Sequence, residues 1–330
     1  MRVTNLRPTL GATLDRQHDV LSRGQLLAAG VDDMTIHRYA RMGRWLRLLP
    51  GIYLVEPTVV GTEHKRIAVA LYAGEQAQLT GLTVLHWYGF RYAAATDKIH
   101  VLVPHTTRRR STGFAVVQRA LALDPAARDG GLYWVTSPAR AVVDACRMLT
   151  QLRDVRAIVA EAVHSAHTSA TSIDAEIRRA VRSRTGLVRR ALTEVTGGIR
   201  SAPEAELLDL TARSSVLSGM LWNPTLTTLD GRPLPTPDGW IPEVGIALEV
   251  DSAEHHSDSG DGWRRTLERH NELSKYGVEV LHFTPSEIRA FPRRVLTTIE
   301  EAYRSRLAST ARALVITVDV KKGTFLDAQR

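Results

Sequence analysis

Three carboxylates crowd one short stretch: Asp238 in the run PTPDGWIPE, then Glu249 and Asp251 in GIALEVDS. The run from Ile246 to Asp251 is apolar and β-prone, so it reads as a buried strand. Side chains alternate across a strand, which puts Glu249 and Asp251 on one face. Acids side by side on a buried strand are costly unless something neutralises them. A divalent cation does so, and Mg²⁺ is commonly held by one or two carboxylates with phosphate oxygens and water. Asp238, Glu249 and Asp251 are therefore candidate ligands for Mg²⁺ or Mn²⁺. The chemistry they would do is metal-assisted hydrolysis of a phosphodiester. A structural ion pair with Arg265 or Arg269 is the competing use of the same acids.

Other residues could join that chemistry. His255 and His256 follow the strand and titrate near neutral pH, so either suits a general base or a leaving-group acid. Arg265 and Arg269 stand four apart on one helix face, placed to contact phosphate or to offset charge in a transition state. The whole chain leans the same way. It carries 43 Lys+Arg against 35 Asp+Glu, a formal charge of +8, which suits a polyanion such as double-stranded DNA.

With 330 residues and 44% hydrophobic content, two or three domains can each build a core. A single cysteine, Cys146, leaves no disulfide framework and no cysteine zinc cluster within one chain, which fits a reducing cytoplasm. Cys146 lies in the amphipathic run SPARAVVDACRML and reads as a buried structural thiol. The N-terminus carries Arg2, Arg7 and Asp15 with no apolar core of signal-peptide length. No stretch approaches about 18 consecutive apolar residues, so no membrane partner is expected.

The elements that must position these residues fall into four segments: 1–57, 58–200, 201–308 and a tail, 309–330. In the first, Thr13 to Leu21 reads as a short helix. Ser22-Arg-Gly-Gln25 has capping-box spacing and opens a second. Asp32 or Asp33 caps a third, Met34 to Met42, which Gly43 ends. Trp45 to Leu49, Pro50-Gly51 and Ile52 to Val55 then read as strand, turn, strand. This is the order of a winged helix-turn-helix. In it, Thr35, His37, Arg38 and Arg41 face the major groove while Ile36, Tyr39 and Ala40 pack inward. Arg44 and Arg47 flank the wing and suit phosphates. A plain three-helix bundle with a solvated basic face is the alternative.

The stretch LSRGQLLAAGVDDMTIHRYARMGRWLRLLPGIYLV resembles the N-terminal domain of AbiEi-type antitoxins of type IV toxin–antitoxin systems. The resemblance implies DNA binding and autoregulation. Residues 58–200 read as a mixed α/β middle region. Helices are expected over Lys65 to Ala73, Leu79 to Tyr88, Ala139 to Leu149, Val155 to Val163 and Ile173 to Val181. Strands are expected over Lys98 to Val103, Phe114 to Arg119 and Leu132 to Thr136. The layout, and SPARAVVDACR in particular, resembles the middle part of the same antitoxin-like proteins. Arg108-Arg109-Arg110, between two strands, could touch phosphate or be a solvated loop. His164 and His167, three apart, have helix-face spacing that could ligate a metal, but no acid or Cys accompanies them.

Ser201-Ala-Pro-Glu204 is a capped helix start. A strand follows near Leu226 to Leu229, with a turn at Asp230-Gly231. Then come Asp238, the acidic strand, a helix from Trp263 to Tyr276, a strand from Val278 to Phe283 and two closing helices. The order α-β-β-β-α-β-α resembles the core of restriction-endonuclease-like folds. The region, including HH…WRRTLERHNEL…GVEVLHFTPSEI, resembles very-short-patch-repair-like (Vsr-like) endonuclease domains of the PD-(D/E)xK superfamily. By that resemblance Pro237-Asp238 stands for the PD element and Glu249-Val250-Asp251 for the second, with Asp where lysine usually sits. Glu206 matches an additional acid of such nucleases.

The fold class expected is thus α/β and multidomain. The function expected is a cytoplasmic DNA-binding protein with a Mg-dependent endonuclease-like domain, in a defence or toxin–antitoxin setting. The alternative is a non-catalytic transcriptional regulator or antitoxin that represses its own promoter and binds a partner toxin. A homodimer is open, although no heptad seam is visible.

Overall fold

The computed structural model describes residues 6–56, 58–180, 184–251, 261–309, 313 and 315–318. They form a mixed α/β chain of 13 helices and 15 strands. It divides into two compact units, Met1–Thr150 with Ala166–Val188, and Gln151–Ser165 with Arg189–Arg330.

The first unit opens with α1 (Arg7–Arg16), β1 (Val20–Ser22), α2 (Arg23–Ala28), α3 (Asp33–Arg41), β2 (Leu46–Leu49) and β3 (Ile52–Leu54). The first helix lies earlier than the expected Thr13 to Leu21. Pro8 sits in its first turn, where a missing N–H costs nothing. His18 and Asp19 then take φ of 48° and 60°, which breaks the helix. Val20 and Leu21 go instead into a strand that pairs antiparallel with β3, giving a sheet of order β1-β3-β2. The capping box forms as spaced: Ser22 Oγ accepts from Gln25 N at 3.2 Å, and Gln25 Oε1 accepts from Ser22 N at 2.8 Å. Asp32 caps α3 by accepting from Thr35 N at 2.8 Å. Leu14, Leu21, Leu26, Ile36, Tyr39, Trp45 and Tyr53 share one core under these elements.

The same unit continues with α4 (Thr62–Ala73), β4 (Gln78–Leu79), α5 (Gly81–Trp87), β5 (Ile99–Pro104), β6 (Ala115–Ala120), β7 (Arg128–Asp129), β8 (Trp134–Val135) and α6 (Pro138–Cys146). After α7 (Leu152–His164), part of the second unit, the chain returns for α8 (Ala170–Arg179). The five-stranded sheet runs β6-β5-β4-β8-β7. Leu79, expected in a helix, is a central strand residue between Val101 and Val135. The SPARAVVDACR segment is packing: Asp144 is fully buried and accepts from Thr80 Oγ1 at 2.8 Å and Arg140 Nε at 2.9 Å. Cys146 is buried, which pushes its thiol up.

A helix absent from the sequence reading, α9 (Gly186–Thr196), leads into the second unit. Its buried Val188, Ala191, Leu192 and Val195 have helical spacing. Then follow α10 (Ala202–Thr211), β9 (Leu221–Trp222), β10 (Thr225–Thr228), β11 (Pro233–Leu234), β12 (Gly239–Ile241), β13 (Ile246–Val250), α11 (Asp261–Ser274), β14 (Glu279–Phe283), α12 (Pro285–Ala290), α13 (Pro292–Ala308) and β15 (Val315–Val318). Arg156 of α7 ties α9 and α10 together, with Glu194 at 2.6 and 2.7 Å and Asp209 at 2.7 Å. The main sheet runs β14-β13-β12-β9, with β13 and β14 parallel and the other pairs antiparallel. A second sheet, β11-β10-β15, takes the tail as an edge strand.

Candidate functional sites: a basic helix face and an acid cluster

On α3 the 3.6-residue period separates two faces. Ile36 and Tyr39 are buried, while His37, Arg38 and Arg41 are exposed and Thr35 is half-buried. Arg44, past the end of the helix, and Arg47, on β2, are exposed as well. The guanidiniums of Arg38 and Arg44 lie 5.4 and 5.6 Å from the Tyr39 ring centroid, a cation–π arrangement that leaves their N–H groups free for anions. Asp33 pairs first with Arg23 and only more weakly offsets His37. Among the described residues, none of Arg38, Arg41, Arg44 and Arg47 forms an ion pair with a carboxylate. The helix therefore presents a positive face whose arginines form no ion pair, with Asp32 at the N-cap the acid nearest in effect to Arg38.

The acids gather at the carboxyl end of β13. Asp238, just before β12, accepts from Val250 N at 2.8 Å. Burial pushes its carboxyl up to about 7, and the neighbouring Glu204 adds to the shift. Glu249 is likewise pushed up to about 7, by burial first and then by Asp238. One guanidinium nitrogen of Arg269, on α11, lies 3.2 Å from both Glu249 oxygens and 2.9 Å from Thr236 O, so it holds Glu249 partly in check. Asp251 accepts from His282 Nδ1 at 2.8 Å, and that hydrogen bond raises the imidazole. His282 Nε2 lies 3.1 Å from His270 Nδ1, completing a line from Asp251 through His282 to His270.

The additional acid of the cluster is Glu204, not Glu206. Glu206 turns the other way and pairs with Arg153 and Arg289, each at 3.3 Å. Two residues of helix rotate a side chain by roughly 200°, so only one of the two can face the sheet. Glu204 is buried, which raises its carboxyl, and accepts from Arg200 N at 2.9 Å and Asn223 Nδ2 at 2.7 Å. Asn223 also donates its backbone N–H to Asp238 O at 3.0 Å and so links the two acids. Its side chain reaches Gly198 O at 3.1 Å as well. Gly198, at φ 107°, lies so close to the Trp222 carbonyl that a Cβ there would sit 2.6 Å from the oxygen.

His255 and His256, and the side chain of Arg265, lie outside the described residues. His164 and His167 do not act together: His164 Nε2 lies 3.1 Å from Ile199 O, and His167 stacks on Phe90 at 4.3 Å. Glu204, Asn223, His270 and His282 were not singled out from the sequence. The parallel register of β13 and β14, which pairs Glu249 with His282, is what brings the imidazole in. Among the described residues, no three His, Cys, Asp or Glu side chains are grouped closely enough to hold a metal ion in this arrangement. None of the described helices is long and apolar enough to cross a membrane.

A family model described as "Transcriptional regulator, AbiEi antitoxin" matches residues 12–55, the stretch from mid-α1 through β3. Among solved structures, the chain is similar to the RV2827C protein from Mycobacterium tuberculosis, at 16% identity and a TM-score of 0.39 over 57% of this chain and 76% of that one. That likeness is too distant to bear on function. No curated protein matches the chain.

Proposed function

We propose that this chain is a DNA-binding regulator of the antitoxin type, in which residues 1–57 form a winged helix-turn-helix and α3 reads the major groove of double-stranded DNA. One coincidence carries the reading. The regulator family model covers 12–55, and the helix in it exposes Arg38 and Arg41, free of carboxylate partners, above a buried Ile36 and Tyr39. A cytoplasmic setting, control of its own promoter and a partner toxin belong to the same reading. The test is fluorescence anisotropy with a duplex taken from upstream of its own gene. Arg38→Ala plus Arg41→Ala should weaken binding about tenfold or more and lower the salt slope by about 2. Unaltered binding overturns the assignment.

The acid cluster favours a second activity: metal-dependent hydrolysis of phosphodiesters by a restriction-endonuclease-like domain of the PD-(D/E)xK, Vsr-like kind. The antiparallel β9-β12-β13 run followed, after α11, by parallel β14 supports that core. Asp238, Glu249 and Asp251 would hold Mg²⁺ or Mn²⁺, with Glu204 beside them. Their fit is one of donor type, hard carboxylate oxygens, of which those of Asp238 and Glu249 are raised in proton affinity first by burial. Such an ion supplies polarisation of the scissile phosphate and of the attacking water. Arg269 must give up Glu249 for it, and a freed guanidinium beside the cluster suits the phosphate. Asp251 stands where lysine is usual, and the His282 imidazole, 2.8 Å away through Nδ1, orients it. Incubation of supercoiled plasmid with Mg²⁺ or Mn²⁺ tests this. Nicking lost in both Asp238→Ala and Glu249→Ala supports the enzyme. No nicking by the parent chain leaves the regulator reading alone standing.

A further inference from the structure

The loop after β5 carries Arg108, Arg109 and Arg110 in succession, all exposed, and Arg119 on β6 lies beside them, exposed too. Four cations in one place repel one another. Among the described residues none of the four forms an ion pair with a carboxylate. A merely solvated arginine loop has no reason to be held in one shape, but this loop is built. Arg119 Nε donates to Thr107 O at 2.9 Å, and Arg119 Nη2 to Arg109 O at 2.7 Å. Tyr72 of α4 donates to Arg110 O at 2.9 Å, and its ring lies 5.0 Å beneath the Arg109 guanidinium. Ser111 Oγ accepts from Val117 N at 2.9 Å. Three carbonyl anchors, at Thr107, Arg109 and Arg110, thus fix the backbone while Arg108, Arg109 and Arg110 stay exposed. That ordering lowers the entropy a partner must overcome on binding.

The loop also adjoins the proposed reader. At its far end Gly113, at φ 53°, packs on the wing strand: a Cβ there would lie 3.5 Å from Leu49 Cδ2, two residues from exposed Arg47 on β2. The end of the loop therefore lies beside β2 within this unit. Hydroxyls at Thr106, Thr107 and Thr112 sit in the same segment. Guanidiniums and hydroxyls in a fixed row are the groups that contact a nucleic-acid backbone rather than base edges.

We propose that the 105–112 loop is a second DNA contact, a phosphate clamp that extends the reader's footprint along the duplex beyond the base pairs touched by α3. It rests on the reading of α3 as the DNA reader. It commits to the phosphate backbone of double-stranded DNA. An acidic surface on a protein partner is the competing occupant.

The test uses the full chain with two duplexes of one sequence, 12 and about 30 base pairs long, titrated by anisotropy over a salt series. Arg108→Gln, Arg109→Gln and Arg110→Gln are combined in one variant. On the long duplex it should lose about tenfold or more in affinity at low salt, and its slope of log K against log salt should fall by about 2–3. On the short duplex, which the α3 contacts fill, it should behave as the parent. Equal slopes for parent and variant on the long duplex overturn the clamp while leaving the reader intact. Loss of binding on both duplexes also overturns it, since the loop then acts at the α3 site. A parent chain that binds neither duplex overturns reader and clamp together. Circular dichroism melts of the triple variant, expected to match the parent, exclude misfolding as the cause.

Discussion

The two candidate sites treat charge in opposite ways. On α3 and around β2 the arginines stand in solvent, without carboxylate ion pairs among the described residues, so they cost the fold little and remain available to an anion. At the end of β13 the acids are each tied to a specific group, and Asp238 and Glu249 are buried and held at a proton affinity far above that of a free carboxylate. A surface charge is tuned for an encounter. A buried carboxylate instead carries a desolvation cost that its immediate partners must offset. The first site can therefore be altered with little effect on stability, whereas every change at the second is also a change in folding energy.

The largest expected effect lies at Asp238. The carboxyls of Asp238 and Glu249 are pushed up to about 7, from ordinary values of 3.8 and 4.5. Both bind their protons more tightly folded than unfolded. Folding therefore keeps this contribution at acidic pH and loses it as pH rises from about 4 through about 7. Asp238→Asn removes one of the titrating groups. It should raise the stability of the second unit at pH 8 by roughly 2–4 kcal/mol and change little at pH 4. Thermal melts of parent and variant across that range check it. A parent melting temperature that stays flat from pH 5 to 8 would show that the cluster is not as desolvated as its geometry indicates. Mg²⁺ should restore part of the parent's loss above pH 7, and none in the variant, if the acids take a metal.

Arg269 probes the same cluster from the opposite side. It is half-exposed, so screening discounts its ion pair with Glu249. Arg269→Gln should cost about 1 kcal/mol at pH 8, where Glu249 is ionised, and less at pH 5, where it is protonated. The sign is opposite to that for Asp238→Asn. The pair of variants thus separates repulsion between acids from rescue by a cation. Equal effects at both pH values would mean that the arginine acts through its contact with Thr236 O.

How far the sequence exposed these sites depended on the range of the interactions that build them. The two faces of α3 follow from local period alone, and Ile36 and Tyr39 lie inward as that period requires. The capping box at Ser22 and the caps at Asp32, Ser137 and Ser201 are equally local. The end of the first helix is not encoded locally, because Val20 and Leu21 suit a helix as well as a strand, and only pairing with β3 decides between them. Leu79 poses the same problem, settled by neighbours more than twenty residues away. The choice between Glu204 and Glu206 depends on which face of α10 meets the sheet, a tertiary fact. His282 enters through a parallel register that no local pattern encodes. The acid cluster was visible as composition, and its wiring was not.

Two matched caps give a smaller contrast. Ser22 caps α2 beside the reader, and Ser201 caps α10, which carries Glu204. Alanine at either should cost about 0.5–1 kcal/mol locally. Hydrogen exchange of the α2 and α10 amides reads each loss in its own helix. Beyond that the two should diverge. Ser201→Ala should also alter the pH dependence of stability, because Glu204 Oε2 is placed by the same turn through Arg200 N. Ser22→Ala should leave it unchanged. Identical pH profiles for the two would mean that Glu204 is held by Asn223 alone.

The smallest expected effect is the sharpest statement of the comparison. Arg38→Ala with Arg41→Ala removes two charges from α3, yet both side chains are exposed and form no ion pair with acids among the described residues. Surface substitutions of this kind change stability by no more than about 0.5 kcal/mol. The double variant should therefore melt with the parent at every pH from 5 to 8 while losing its hold on DNA. A clear fall in melting temperature would mean that Arg38, over the Tyr39 ring, helps to seal the core of the first unit. In that case the basic face would be, like the acid cluster, part of what holds the fold together, and the weakened DNA binding could not be assigned to lost phosphate or base contacts.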